Sequence, residues 1–194
     1  MSFPLNQHWT QIKRVLRYLK GTINHALIYS NGESNSNNAI VGYDDASYAP
    51  NSLDRKSISG YIFMFNNGPI SWRTKKQAIT ALSSCEAEYI SLTEAAKESE
   101  WLRQLHTELH PGYNQPIIIF EDNQSTIKIS TNNIFSNRTK HIDVRFHFIR
   151  ELISNNQIKL IYCSTNDMIA DALTKSLQKI KFNHFRKLMN IDAG

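Results

Sequence analysis

Apolar residues recur along the chain with two different periods, and the changes of period divide it into elements. Over residues 8–20, Ile12, Val15, Leu16 and Leu19 repeat at helical spacing, Lys13, Arg14, Arg17 and Lys20 fill the remaining circumference, and Gly21 stops the repeat. This predicts a basic amphipathic helix. A short apolar segment at 26–29 then runs into a Ser-, Asn- and Gly-rich tract through residue 38, whose composition favours turns and supplies no core. Residues 39–45 read as a strand ending in acid. Residues 58–65 and 70–72 flank Asn66-Asn67-Gly68, a hairpin signal because Asn and Gly tolerate positive φ. Three antiparallel strands are expected from this stretch.

Residues 83–110 read as one long helix. Ser83 and Glu86 fit a capping box, Leu92, Ala95, Leu102 and Leu105 mark one face, and Pro111-Gly112 ends it. Ile117-Ile118-Ile119-Phe120 is the uninterrupted apolar run of a central strand covered on both faces, and it delivers Glu121-Asp122 at its C-terminal end. A helix is expected from Ser125. Another is expected over 140–153, with Ile142, Phe146, Ile149 and Ile153 on one side. A strand over 158–163 precedes a last helix that starts at Asn166 or Asp167 and carries Ala170-Asp171-Ala172-Leu173. A basic, aromatic tail with Phe182, Phe185, Arg186 and Leu188 follows. The order βββαβαβα predicts an α/β layer architecture.

With 194 residues, 41% of them apolar, the chain can bury one core but not house two enzymes side by side. Lys and Arg number 22 against 17 Asp and Glu, and the resulting +5 tilts the expectation toward a polyanionic partner. Cys85 and Cys163 are too few for a disulfide framework and fit a reducing compartment. No apolar run approaches the ~20 residues that span a bilayer, and the N-terminus lacks the features of a secretion signal, so a soluble intracellular protein is expected.

Four acids stand where the elements of such an architecture converge: Asp45, Glu88, Asp122 and Asp171. Carboxylate clusters suit Mg²⁺ or Mn²⁺, and two such ions about 4 Å apart can activate a water and stabilise the leaving oxygen of a phosphodiester. Glu86 is committed to the helix start, which leaves Glu88 for a cation. Strand alternation sends Asp44 and Asp45 to opposite faces, so only one of them can join the cluster. The alternative reading of each acid is a surface charge or a cap.

These acids lie in motifs that resemble the ribonuclease H domain of Ty1/copia-type LTR retrotransposon polyproteins. The matching residues include Tyr43-Asp44-Asp45-Ala46, Arg55-Lys56-Ser57-Ile58-Ser59-Gly60-Tyr61, Ser71-Trp72-Arg73-Thr74-Lys75-Lys76-Gln77, Cys85-Glu86-Ala87-Glu88-Tyr89, Glu121-Asp122-Asn123-Gln124-Ser125, Arg138-Thr139-Lys140-His141 and Ala170-Asp171-Ala172-Leu173-Thr174-Lys175. The resemblance implies a ribonuclease H-like fold: a mixed five-stranded sheet, three antiparallel strands then two parallel, flanked by helices. It also implies cleavage of the RNA strand of RNA–DNA hybrids with two Mg²⁺ or Mn²⁺ ions, and Asp45, Glu88, Asp122 and Asp171 as the catalytic metal ligands. It divides the chain into the end of a reverse transcriptase thumb or connection segment (1–30), a linker (31–38), the ribonuclease H-like domain (39–178) and a basic C-terminal helix or tail (179–194). The implied partner is the reverse transcriptase polymerase domain of the parent polyprotein, and the implied place of action is the cytoplasmic virus-like particle or the nucleus. Ser47 stands where many relatives carry a second Asp, and Cys85 where Thr is common.

Basic residues fall in two regions, Arg73, Lys75 and Lys76 after the hairpin and Arg138, Lys140, His141 and Arg145 near the later helix. Together they are expected to straddle the hybrid backbone, with Asn123 and Gln124 beside the acids. His106 and His110 have the i, i+4 spacing of zinc ligands but no third ligand, and interaction with the helix dipole is the preferred reading. Tyr43-Asp44-Asp45 is similar to a polymerase turn, but the chain is too short for a polymerase palm. Two function classes follow: a Mg²⁺-dependent endoribonuclease, and a catalytically idle remnant that binds nucleic acid or partners.

Overall fold

The computed structural model describes residues 5–29, 39–51, 53–131 and 143–193. The expected linker at 31–38, as well as Arg138, Lys140, His141 and Ile142, lie outside the described residues. A five-stranded mixed sheet is built from β2 (Val41–Ser47), β3 (Ile58–Phe65), β4 (Gly68–Lys76), β5 (Ile117–Glu121) and β6 (Ile158–Tyr162). Its spatial order is β4-β3-β2-β5-β6, with the first three strands antiparallel and β5 and β6 running parallel to β2. The middle strand is therefore β2, and the apolar run of β5 lies one place from the edge. There Ile117 and Ile119 are fully covered while Ile118 and Phe120 are half-buried.

The Phe65–Gly68 pair closes the hairpin on Asn66 and Asn67, both left-handed at φ 50° and 62°, the two-residue turn that matches strand twist. Period-2 alternation sends β3 side chains to two cores. Tyr61 and Phe63 join Tyr89, Leu92, Leu102, Ile117, Ile119, Phe146 and Ile149 beneath α2 (Ser84–Leu109) and α4 (Asp143–Ser154). Ile62 and Met64 join Met168, Ile169, Phe185 and Met189 on the opposite face. The buried face of α2 continues through Ser99, Leu102 and His106, so Leu105 falls off it and is exposed. Ser83 caps α2 by accepting the Glu86 N–H at 3.1 Å, but the Glu86 carboxylate takes the Leu82 N–H at 2.9 Å, one residue before the expected box partner. A short helix, α3 (Gln124–Thr131), follows β5.

The last helix differs from expectation. Residues 165–167 and 169–170 form turns and only α5 (Asp171–Thr174) is helical, with Met168, Ile169 and Ala170 buried just before it. The tail is also ordered: α6 (Lys179–Leu188) buries Phe185 completely, and β7 (Ile191–Ala193) pairs antiparallel with β1 (His25–Leu27). The predicted basic helix forms as α1 (Asn6–Gly21) with none of its residues buried. Its Tyr18 ring meets Phe182 of α6 edge-on at 6.2 Å.

Candidate metal centre

Adjacent strand ends deliver the first acids. Asp44 and Glu121 face each other in the parallel β2–β5 register, and Asp45 and Asp122 are the next residues. Alternation separates the first pair from the second. Asp44 lies on the α2 side, where Ser91 Oγ is 2.7 Å from its Oδ1 and 2.9 Å from the Asp45 carbonyl, with one proton to give. Asp45 lies on the α5 side. Glu88 sits one turn into α2, past the residues committed to its cap. One carboxylate oxygen each from Asp45, Glu88 and Asp122 lie within 4.8 Å of one another.

Asp171 arrives by a close helix approach. Gly60 is the β3 partner of Asp45, and a Cβ there would fall 2.7 Å from Thr174 Cγ2 and 2.9 Å from Leu173 Cβ. The missing side chain lets α5 settle on the sheet. Thr174 Oγ1 then donates to Asp45 Oδ2, and the Lys175 ammonium bridges Asp45 Oδ1 at 2.9 Å and Asp171 Oδ1 at 2.6 Å. Lys181 of α6 donates to Asp171 Oδ2 at 2.6 Å, and Thr165 donates to Asp122 Oδ2 at 2.8 Å. Asp171 is thus joined to Asp45 through Lys175 and lies outside the tight triad.

Concentrating carboxylates in a dry site penalises their charge. Burial pushes the Glu88 carboxyl up to about 10, with repulsion from Glu121, Asp45 and Asp122 adding to it. Asp44 and Glu121 are raised well above the ordinary range, chiefly by burial and further by neighbouring acids. Asp45 is raised by burial against the opposing pull of Lys175 and Thr174. Burial alone would lower the Lys175 ammonium, but Asp45 and Asp171 outweigh it and raise its pKa. Glu88 Oε2 is buried and has no hydrogen-bond partner among the described residues. A hard-oxygen donor set with an orphaned buried oxygen and excess negative charge fits a divalent cation, with Asp45, Glu88 and Asp122 as the residues placed to hold it.

The basic positions resolve differently. Arg73 pairs with Glu94 at 3.4 Å and Lys76 with Asp54 at 2.7 Å, both on the surface. Arg73, Lys75, Lys76 and Gln77 line one cleft together with Glu94 of α2 and Arg145 of α4. Asn123 uses its side-chain oxygen to accept the Ser125 and Thr126 N–H groups, capping α3, and Gln124 is exposed at the start of that helix. Sequence reasoning missed Ser91, Thr174, Lys175 and Lys181. Only Lys175 carried a local signal, its i, i+4 spacing from Asp171.

The sheet order and helix placement are those of a ribonuclease H fold. Solved ribonucleases H1 from a compost metagenome (15% identity, TM-score 0.54, covering 71% of this chain and 93% of that one) and from the archaeon Halobacterium salinarum (17%, TM-score 0.52, 70% and 94%) share it. No family model matches the chain. It is 41% identical over 192 residues to the retrovirus-related Pol polyprotein from transposon TNT 1-94 of Nicotiana tabacum, and 37% over 191 residues to that from transposon RE2 of Arabidopsis thaliana. It is also 30% identical over 179 residues to a Ty1 Gag-Pol polyprotein of Saccharomyces cerevisiae. These matches cover 98%, 98% and 90% of the chain but only 14%, 13% and 10% of the relatives' length. The chain belongs to the Pol polyproteins of Ty1/copia-type retrotransposons and corresponds to their ribonuclease H-like segment.

Proposed function

We propose that this segment hydrolyses the RNA strand of RNA–DNA hybrids during reverse transcription, using two Mg²⁺ or Mn²⁺ ions held by Asp45, Glu88, Asp122 and Asp171. The convergence of Asp45, Glu88 and Asp122 from three separate elements carries the reading. A compost ribonuclease H1 of the same fold, at 13% identity and TM-score 0.51, has been solved in complex with an RNA/DNA hybrid. When bound, divalent ions supply an acidified water and positive charge opposite the scissile phosphate. Thr174 and Lys175 orient Asp45, Thr165 orients Asp122, and the buried walls around Glu88 exclude bulk water. The cleft of Arg73, Lys75, Lys76 and Arg145 would hold backbone phosphates, giving salt-sensitive affinity without sequence preference. The polymerase domain of the parent polyprotein is the expected partner, and the cytoplasmic virus-like particle, or the nucleus, the expected place of action.

The test is incubation of the purified chain with a labelled RNA–DNA hybrid and Mg²⁺, beside Asp45→Asn and Asp122→Asn. The proposal expects RNA fragments with 5′-phosphate and 3′-hydroxyl ends from the parent chain alone. Hybrid binding without cleavage would instead support an idle nucleic-acid-binding remnant.

A further inference from the structure

Both oxygens of Asp171 are occupied by ammonium groups from the chain itself, Lys175 on Oδ1 and Lys181 on Oδ2, each at 2.6 Å. The two lysines are not equivalent. Lys175 follows α5 directly, touches two carboxylates and sits next to Thr174, so the same turn that positions Asp45 holds it. Lys181 comes from a different helix and, among the described residues, makes this one ion pair. Its side chain is 32% exposed, and its ammonium lies 5.0 Å from the Phe185 ring centroid on its own helix. The lysine end of the pair reaches solvent while Asp171 is buried, so Lys181 can leave once another cation takes its place on the carboxylate.

We infer that Lys181 is a positioning residue that acts as a resident counter-ion for Asp171 and exchanges with an incoming divalent cation. The inference rests on the reading that the carboxylates hold such a cation, and extends it to the C-terminal helix. In the absence of the ion, Lys181 neutralises Asp171 and keeps it turned toward the site. When the ion binds, two cations compete for one carboxylate, and Lys181, with the fewer contacts, is the one that leaves for solvent. Phe185 anchors α6 in the core, and Asn190, just past the helix, donates its side-chain amide to the Ile28 carbonyl at 2.6 Å. The helix body therefore stays in place while its first turn loses a tether.

Isothermal titration of Mn²⁺ into the whole chain without nucleic acid tests this, comparing wild type, Lys181→Met and Lys179→Met. Lys179 is an exposed cation on the same helix and controls for a general change of field. Asp122→Asn identifies the heat that belongs to the carboxylate site, and thermal melts verify folding. Lys181→Met should bind Mn²⁺ at least about 5-fold more tightly, and Lys179→Met should differ from wild type by less than about 2-fold. Hydrogen exchange in the first turn of α6 should rise on Mn²⁺ addition in wild type and stay constant in Lys181→Met. Equal affinities for the two Met variants, or weaker binding by Lys181→Met, would overturn the inference while leaving the metal centre standing. Absence of Asp122-dependent Mn²⁺ binding in wild type would remove both.

Discussion

Gly60 stands directly opposite Asp45 across the β2–β3 ladder, and the side chain it lacks is the space that α5 fills. That relationship ties a backbone feature of one strand to the placement of Asp171, Thr174 and Lys175. Gly60→Ala should cost about 1–3 kcal/mol through overpacking, because Leu173 and Thr174 must move. Urea unfolding measures the loss, and hybrid cleavage should fall with it. A variant with unchanged stability and cleavage would mean that α5 does not depend on this contact.

Asp44 and Glu121 form a second acidic pair, fully buried on the α2 face behind the metal centre. Burial raises both carboxyls, so the folded state binds more protons than the unfolded chain. Their contribution to stability is present below the unfolded values near ~4 and is lost as pH rises through the folded ones. Asp44→Asn keeps an acceptor for Ser91 and removes the charge. It should raise the metal-free melting temperature at pH 8 but not at pH 4, by about 2–4 °C for each kcal/mol recovered. An equal effect at both pH values would show that Asp44 does not carry this penalty.

The shared cleft makes a prediction about salt. Lys75→Ala and Arg145→Ala should each weaken hybrid binding by similar factors on unrelated sequences and lower the slope of log K against log salt by about 1. Fluorescence anisotropy across a salt series measures both. An unchanged slope would move the phosphate contacts elsewhere.

Much of this was legible from local pattern. Alternation placed Asp44 and Asp45 on opposite faces, the Ser83 cap freed Glu88, and Asn66-Asn67 closed the hairpin, because each depends on neighbours along the chain. What stayed hidden depends on distant contacts. Nothing near Lys181 signals that it meets Asp171, and the pairing of residues 25–27 with 191–193 joins the two ends of the described chain through backbone hydrogen bonds that leave no side-chain signature. The helix expected from 166 or 167 is confined to Asp171–Thr174, with Met168, Ile169 and Ala170 buried before it. The capping of the next helix by the Asn123 side-chain oxygen is a further local role, beside the substrate contact expected of that residue.

The central claim is that side chains from β2, α2 and the end of β5 form one cation-binding centre. Anomalous diffraction from crystals soaked in Mn²⁺ tests it most directly. The account predicts a peak within about 2.0–2.6 Å of carboxylate oxygens of Asp45, Glu88 and Asp122, absent in Asp122→Asn. Manganese bound away from these three residues, or no bound manganese at millimolar concentration, would contradict it.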